Sequence, residues 1–190
     1  HIDCQMVVVG KGVRPAVGFL GQDRVQVDAG IVVDDFLQTS VDGVYAAGDV
    51  AEHFDIARGR RWVNAIWPVA VEMGRIAGMN MAGRQVRYRG SLSRNVIRIF
   101  DLDVLAAGIV NPPESSEYEV LAVRDPRRRT YRKLVFRNEY LVGAALVGHV
   151  EHGGVLMNAI AARVPIEKDR ERLLGPGFSF ALLAPFRKAA

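Results

Sequence analysis

The pattern of apolar and polar positions differs between the first and second halves of the chain. In the first half, residues 6–9 form a continuous apolar run, which is typical of a strand buried on both faces. Residues 25–40 alternate around a central glycine and predict short strands on either side of a turn. Asp42-Gly43 predicts a second turn, and residues 44–47 then predict a short strand that closes with Gly48-Asp49.

A helix is predicted directly after a polar loop at residues 54–64. Pro68 suits the first helical position, where its missing N–H costs nothing, and Gly83 suits the position just past the end. A glycine inside a helix costs about 1 kcal/mol relative to alanine, so internal glycines indicate close packing against a neighbour. The small residues fall three or four apart on one side of this helix: Ala70, Gly74, Ala77, Gly78 and Met81.

After residue 90 the pattern changes to short strands joined by polar turns, which is typical of an antiparallel sheet. A helix is predicted from residue 153 to Pro165, followed by a short charged helix over residues 166–174. We therefore predict two domains, residues 1–90 and residues 91–190. The strand-like segments of the second domain cover residues 95–100, 103–110, 118–125, 130–138 and 140–148.

Composition and charge restrict the classes of function. With 49% hydrophobic residues the chain can bury a core, and its net charge of +4 with a pI of about 9.5 is only mildly basic. The densest basic run, Arg127 to Arg129, follows Asp125-Pro126 and predicts a solvated hairpin tip rather than a nucleic-acid site. No apolar run reaches the roughly 18 residues that a membrane helix needs.

Cysteine usage and the first residue give two further expectations. The single cysteine, Cys4, cannot form a disulfide within the chain, which favours a reducing, cytoplasmic compartment. Because Cys4 enters the first apolar run, it is expected to be buried and inert. The chain opens with His1 rather than Met, in what reads as the middle of a sheet, so we expect a piece of a longer protein.

One short stretch carries a family resemblance. Residues 39–49 fit T-x-x-x-x-V-Y-A-A-G-D, which resembles the second FAD motif of the FAD-dependent pyridine nucleotide-disulfide oxidoreductases. In that family the aspartate hydrogen-bonds a ribityl hydroxyl, which implies this role for Asp49. A carboxylate at the end of a strand faces the crevice where open α/β sheets bind ligands, and Gly48 leaves room for the cofactor. Thr39, at the start of the motif, is implied as a cofactor-binding residue as well.

The resemblance extends to both sides of this motif. Residues 7–15 resemble the family's strand and turn that return from the NAD domain to the FAD domain, which implies cofactor binding at Gly12. The predicted helix resembles the one whose N-terminus faces the flavin, which implies contacts from Pro68, Val69 and Ala70. The positive end of its dipole and its free N–H groups would stabilise an anionic reduced flavin.

The resemblance predicts the fold class and the activity together. It implies an α/β fold, in which part of an FAD-binding Rossmann-like domain precedes an α+β dimerisation domain with an antiparallel sheet. The complete enzyme would pass electrons from NAD(P)H through FAD to an acceptor, for which a protein is one candidate, and would form a homodimer through the second domain. The chain contains no G-x-G-x-x-G fingerprint and no redox cysteine pair. The nicotinamide site would therefore lie mostly outside this chain, which alone should not catalyse hydride transfer.

Several alternatives stay open. The chain could instead be a non-catalytic dimerisation module with a relic flavin segment, and no catalytic residue is assigned. His149, Glu151 and His152 are interpreted as turn and cap residues, because a metal site needs further ligands. Arg58, Arg60 and Arg61 could dock an acidic acceptor, although a solvated loop is the simpler interpretation. The apolar tail at residues 178–186 is a candidate to cover a partner or the cofactor.

Overall fold

The structure, a computed structural model, describes residues 1–21 and 24–175 together with Phe178 and Leu183. The first half contains a small three-stranded sheet and one long helix. Strand β1 (Ile31–Val32) pairs in parallel with β2 (Ala51–Asp55), and β2 pairs antiparallel with β3 (Arg60–Trp62). The predicted polar loop at residues 54–64 is thus wrong, because most of it forms the β2–β3 hairpin.

Helix α1 (Trp67–Met81) confirms the predicted helix and its end signal. Pro68 occupies the second helical position, and Gly83 follows the end with a φ of 84°. The N–H of Gly83 donates to the Asn80 carbonyl and that of Arg84 to the Met79 carbonyl, at 3.0 Å each. This paired arrangement satisfies the last carbonyls of the helix and requires the left-handed conformation that glycine adopts without strain.

The two faces of α1 differ from what the small residues predicted. The buried face consists of Val69, Met73, Ile76, Ala77 and Asn80. Gly74 and Gly78 instead lie on the exposed side, where a Cβ would meet no heavy atom within 4 Å. Within the described ranges, the expected close neighbour of these two glycines is therefore not found.

The second half forms a five-stranded antiparallel sheet, as the alternation predicted. The strands are β4 (Arg94–Ile99), β5 (Leu102–Gly108), β6 (Tyr118–Asp125), β7 (Thr130–Arg137) and β8 (Tyr140–Val147). Their order in the sheet is β4-β5-β8-β7-β6, so the outer strands β4 and β6 form hairpins with β5 and β7, and β8 lies at the centre. The turn after Pro126 is the β6–β7 hairpin tip, where Asp125 accepts the N–H groups of Arg127 and Arg128.

Helix α2 (Gly153–Ala161) packs on one face of this sheet. A Cβ on Gly153 would stand 2.1 Å from Leu105 Cδ1, so the close approach requires glycine. The helix ends at Ala161, before Pro165, where the end was predicted, and Arg163 just beyond it takes a left-handed φ of 50°. The N–H of Ile166 donates to the Glu139 carbonyl at 2.7 Å, and helical structure resumes only as a 3-10 turn over Arg170–Leu174. The predicted helix over residues 166–174 is therefore too long.

Two predictions for the N-terminal segment, a buried strand at residues 6–9 and a buried Cys4, are wrong. Residues 6–9 form no strand, their side chains are 72–86% exposed, and Cys4 is exposed rather than buried. A strand of a parallel sheet is stable only between neighbours, and no described residue pairs with this segment. The predicted strand at residues 44–47 is reduced to one antiparallel bridge between Gln38 and Tyr45.

Two apolar clusters form the cores. One surrounds α1 and includes Ile31, Leu37 and Met73, while the other lies between the five-stranded sheet and α2. The division of the chain near residue 90 stays a prediction, and the tail at residues 178–186 lies outside the described residues except for Phe178 and Leu183. In the portion of the chain that is described, neither helix has the length and apolarity needed to cross a bilayer.

Candidate functional site

The Gly-Asp pair of the motif lies against the first turn of α1. Gly48 begins a short 3-10 helix, Gly48–Val50, and has a φ of 79°. A Cβ at this position would stand 3.2 Å from the Ala70 Cβ and 3.6 Å from the Ala70 Cα. Glycine is therefore favoured at position 48 both by the left-handed backbone and by the close approach of the helix. The structure thus brings Gly48, Asp49 and the start of α1 together.

Asp49 precedes a strand rather than closing one, because β2 begins at Ala51. Its side chain is exposed and makes no hydrogen bond or ion pair with the other described residues. An ionised carboxylate acts only as a hydrogen-bond acceptor. Asp49 can therefore accept hydrogen bonds from the hydroxyl groups of a ligand beside the first turn of α1.

The start of α1 presents fewer free donors than the resemblance implied. Pro68 has no N–H, and the N–H groups of Val69 and Ala70 both donate to the Ile66 carbonyl, at 3.1 and 3.0 Å. The Val69 side chain is 1% exposed and belongs to the core around α1. Pro68 is exposed and Ala70 is half-buried. The electrostatic effect of this end on a ligand therefore depends mainly on the helix dipole.

Thr39 and Gly12 occupy different surroundings. Thr39 closes the turn before the motif, since its N–H donates to the Val44 carbonyl at 2.8 Å and its Oγ1 accepts the N–H of Val41 at 3.1 Å. Gly12 lies in the exposed N-terminal segment with a φ of 82°, and no heavy atom lies within 4 Å of an added Cβ. Thr39 therefore shapes the loop that carries Gly48, whereas no packing contact fixes Gly12 in this site.

A buried polar network that includes Asn64, just before α1, was missed by sequence reasoning. Asp55 is fully buried and accepts hydrogen bonds from Arg58 and from the Asn64 side chain, which also donates to Ser91. Asn64 and Ser91 are also buried. The Asp55 to Gly59 spacing, an aspartate before a glycine turn, was the available signal, but the partners at positions 64 and 91 are not visible in the sequence pattern.

A second cluster surrounds His53. The His53 Nε2 lies 3.5 Å from Asp35 Oδ1, and Asp35 also pairs with Arg87. Burial lowers the pKa of His53 despite the raising effect of Asp35, and the Arg87 hydrogen bond lowers the pKa of Asp35. Burial raises the pKa of the neighbouring Tyr88 phenol. The buried His53 Nδ1 and Tyr88 hydroxyl have no hydrogen-bond partner among the described residues.

The arginines of the β2–β3 hairpin are partly committed to internal contacts. Arg58 pairs with Asp55 at 3.1 Å, and Arg61 donates to the Val33 carbonyl at 2.8 Å. The guanidinium groups of Arg58 and Arg60 lie 4.7 and 4.6 Å from the centre of the Trp62 ring. These contacts leave Arg60 as the member with the fewest internal partners, so the hairpin is a weaker docking surface than its charge suggested.

The histidines after β8 line a cleft of about 330 Å³ beside the β6–β7 hairpin tip. The Arg132 Nη2 lies 3.3 Å from His152 Nδ1, and the His152 ring stacks on Phe178 with 3.9 Å between centroids. Among the residues that the structure describes, no group of three or more His, Cys, Asp or Glu side chains could hold a metal ion.

The sequence matches two family descriptions. Residues 1–74 match the model described as pyridine nucleotide-disulphide oxidoreductase, and residues 94–164 match the one described as rubredoxin NAD+ reductase C-terminal domain. Over these two segments the chain is therefore similar to the pyridine nucleotide-disulphide oxidoreductases and to the C-terminal domain of rubredoxin NAD+ reductase. Its fold is of the α/β class, in agreement with the prediction.

Individual relatives place this chain within longer proteins. It is 30% identical to nitrite reductase (NAD(P)H) of Bacillus subtilis (strain 168), over 88% of this chain and 20% of that protein. It is 31% identical to the NADH-dependent phenylglyoxylate dehydrogenase subunit epsilon of Aromatoleum evansii, over 91% of this chain and 41% of that protein. The crystal structure of Fdr9 superposes with a TM-score of 0.76 and 26% identity, over 97% of this chain and 46% of that one. The chain thus spans less than half the length of each.

Proposed function

We propose that this chain is part of an FAD-dependent oxidoreductase that passes electrons from NAD(P)H through FAD to an acceptor. The match of residues 1–74 to the pyridine nucleotide-disulphide oxidoreductase family supports the proposal, and two relatives are named as NAD(P)H- or NADH-dependent proteins. The observation that carries it is the contact between the Gly48-Asp49 pair and the first turn of α1.

The residues present fit one side of an FAD site. Asp49 offers an uncommitted, exposed carboxylate that suits a sugar-alcohol hydroxyl, while the dipole of α1 favours negative charge beside it. Thr39 holds the loop that presents both residues. When bound, FAD would supply the hydride-accepting and electron-transferring chemistry. The chain's own residues would bind the cofactor, orient it and stabilise the charge of its reduced form.

The role of each predicted residue follows from its place. Asp49 would anchor the cofactor, and Gly48 would let the motif approach α1 closely. The start of α1 would contact the part of the cofactor that becomes negatively charged, through the backbone of Pro68, Val69 and Ala70. Gly12, on the exposed N-terminal segment, would contribute only when that segment is held by the rest of the protein.

The proposal can be tested on the protein expressed from its complete reading frame. We expect the purified protein to show the absorption bands of bound flavin, and anaerobic NAD(P)H to bleach them. The two nicotinamide cofactors should be compared at matched concentrations. A colourless protein that also fails to take up added FAD would contradict the proposal.

A homodimer through the C-terminal half is a further part of the proposal. On the sheet face opposite α2, Ile97 and Ile99 remain 44% and 47% exposed, and apolar surface of this kind favours association. The same face supports the alternative, a non-catalytic dimerisation module. The flavin measurement separates the two functions, and sedimentation of an Ile97→Lys variant tests the dimer, since an unchanged dimer would contradict this interface.

The remaining features of the proposal concern the acceptor and the compartment. An electron-acceptor protein is one class of partner, and the exposed Arg60 on the β2–β3 hairpin of this chain is a candidate contact for it. A cytoplasmic location is supported by the single cysteine, which fits a reducing compartment. A division into domains at residues 1–90 and 91–190 is also proposed, and the separate cores around α1 and α2 support it.

A further inference from the structure

The start of α1 is connected to a buried amide that lies outside the proposed FAD site. Asn64 is 7% exposed, and its side-chain Nδ2 donates to Asp55 Oδ2 and to Ser91 Oγ, both at 2.7 Å. Both amide hydrogens are therefore used. Among the standard residues only glutamine also carries a side-chain amide NH2, and its side chain is one methylene longer.

The partners of Asn64 are themselves fixed. The Asp55 Oδ1 accepts the Arg58 N–H at 2.7 Å, which closes the turn after β2. Ser91 is held by backbone bonds on both sides, because its N–H donates to Phe54 at 2.9 Å and its carbonyl accepts the Ile56 N–H at 3.0 Å. Asn64 thus joins the residues just before α1 to two side chains whose residues are held by further hydrogen bonds.

A continuous series of short contacts runs from Asn64 to the motif. The Asn64 carbonyl accepts the Ile66 N–H at 2.9 Å, and the Ile66 carbonyl accepts the N–H of Val69 and Ala70. Ala70 in turn is the residue that a Cβ on Gly48 would contact. We therefore expect a displacement of residue 64 to change the separation between the start of α1 and Asp49.

We propose that Asn64 is a positioning residue, which sets the place of the α1 N-terminus relative to Gly48-Asp49 and so tunes the cofactor bound there. This inference rests on the proposed function. If α1 moves away, its dipole stabilises the negative charge of the reduced flavin less, and the flavin midpoint potential becomes more negative.

The experiment compares two buried asparagines at opposite ends of α1. Asn80 is 6% exposed and also makes internal bonds, to Phe36 and to Val86, but it lies at the far end of the helix. Asn64→Ala and Asn80→Ala are made in the protein expressed from its complete reading frame. FAD affinity, flavin midpoint potential and urea unfolding are measured for both variants and for the wild type.

We expect both variants to lose stability, but only Asn64→Ala to bind FAD several-fold more weakly and to show a more negative midpoint potential. An Asn64→Ala protein with the wild-type midpoint, or an equal shift in Asn80→Ala, would overturn the inference alone. A wild-type protein that takes up no flavin would overturn the proposed function with it. If Asn64→Ala does not fold, Ser91→Ala decides, with a smaller shift in the same direction expected and an unchanged midpoint contradicting the inference.

Discussion

The two halves of the molecule have cores of different chemistry. The core between the five-stranded sheet and α2 is built from apolar side chains, including Leu134, Phe136 and Leu156, each 0% exposed. The half around α1 buries polar and charged side chains as well. In the described ranges, all buried residues of this kind lie between positions 52 and 91, namely Glu52, His53, Asp55, Asn64, Asn80 and Ser91.

This difference indicates how the two halves divide stability and specificity. Apolar burial stabilises without fixing a unique geometry, whereas a buried polar group is tolerated only when its partners stand in one arrangement. In the half that carries the Gly48-Asp49 motif, directional polar contacts therefore constrain the geometry of the interior more than in the other half. Such networks fix structure at a cost in stability in some proteins.

The largest effect is expected in the apolar core. Phe136→Ala should lower the free energy of unfolding by about 3–5 kcal/mol, because a fully buried ring leaves a cavity. The ring also faces the Arg170 guanidinium at 4.7 Å. Urea unfolding measures the change, and Phe100→Ala, at a 95% exposed site, is the matched control with an expected change below about 0.5 kcal/mol. Similar losses at both positions would contradict an apolar core on the α2 side of the sheet.

The next effect concerns the close approach at the motif. Gly48→Ala should cost about 1–2 kcal/mol from the left-handed backbone, plus a further loss from the contact with Ala70. Gly43 has a φ of 73° but open space around it, so Gly43→Ala measures the backbone contribution alone. Thermal unfolding of both variants gives the difference. Equal losses would show that α1 does not press on position 48.

A pH dependence is expected from the buried His53. The unfolded side chain titrates near 6.5, while burial lowers the pKa of the folded one. At a pH below 6.5 the unfolded state therefore binds more protons, so the free energy of unfolding should decrease as the pH falls from 6.5 towards the folded pKa. Urea unfolding from pH 8 to pH 5 tests this, and His53→Gln should flatten that slope. The exposed His149→Gln is the control, and an identical slope in the wild type and His53→Gln would count against the assignment.

The smallest effect is expected on the outer face of α1. Gly74→Ala and Gly78→Ala should each raise the free energy of unfolding of the 190-residue chain by up to about 1 kcal/mol, since an added methyl meets open space. If the rest of the protein covers this face, the same substitutions should destabilise the product of the complete reading frame. Thermal unfolding of both forms distinguishes the cases, and destabilisation in the 190-residue chain would contradict the exposed placement.

Sequence patterns predicted the second half well because its contacts are local. The β6–β7 and β7–β8 strands are joined by short turns, so alternation and turn residues were sufficient to place them. The prediction of a strand at residues 6–9 was wrong because a parallel strand depends on neighbouring strands, which the hydrophobic pattern does not reveal. The family resemblance implied that Asp49 and the start of α1 contact the same cofactor, and therefore that they lie close together. The Asp55–Asn64–Ser91 network could not be predicted, since its members lie 9 and 27 residues from Asn64 along the chain.

The most direct test of the central claim compares FAD binding by two aspartate variants of the protein expressed from its complete reading frame. Asp49→Ala should lose about 1.5–3 kcal/mol of binding free energy, the worth of one charge-assisted hydrogen bond, which is roughly a 10- to 150-fold weaker affinity. Asp28→Ala, at an exposed turn of the same half, should retain the wild-type affinity. Equal FAD affinity in Asp49→Ala and the wild type would contradict the assignment of Asp49 to the cofactor.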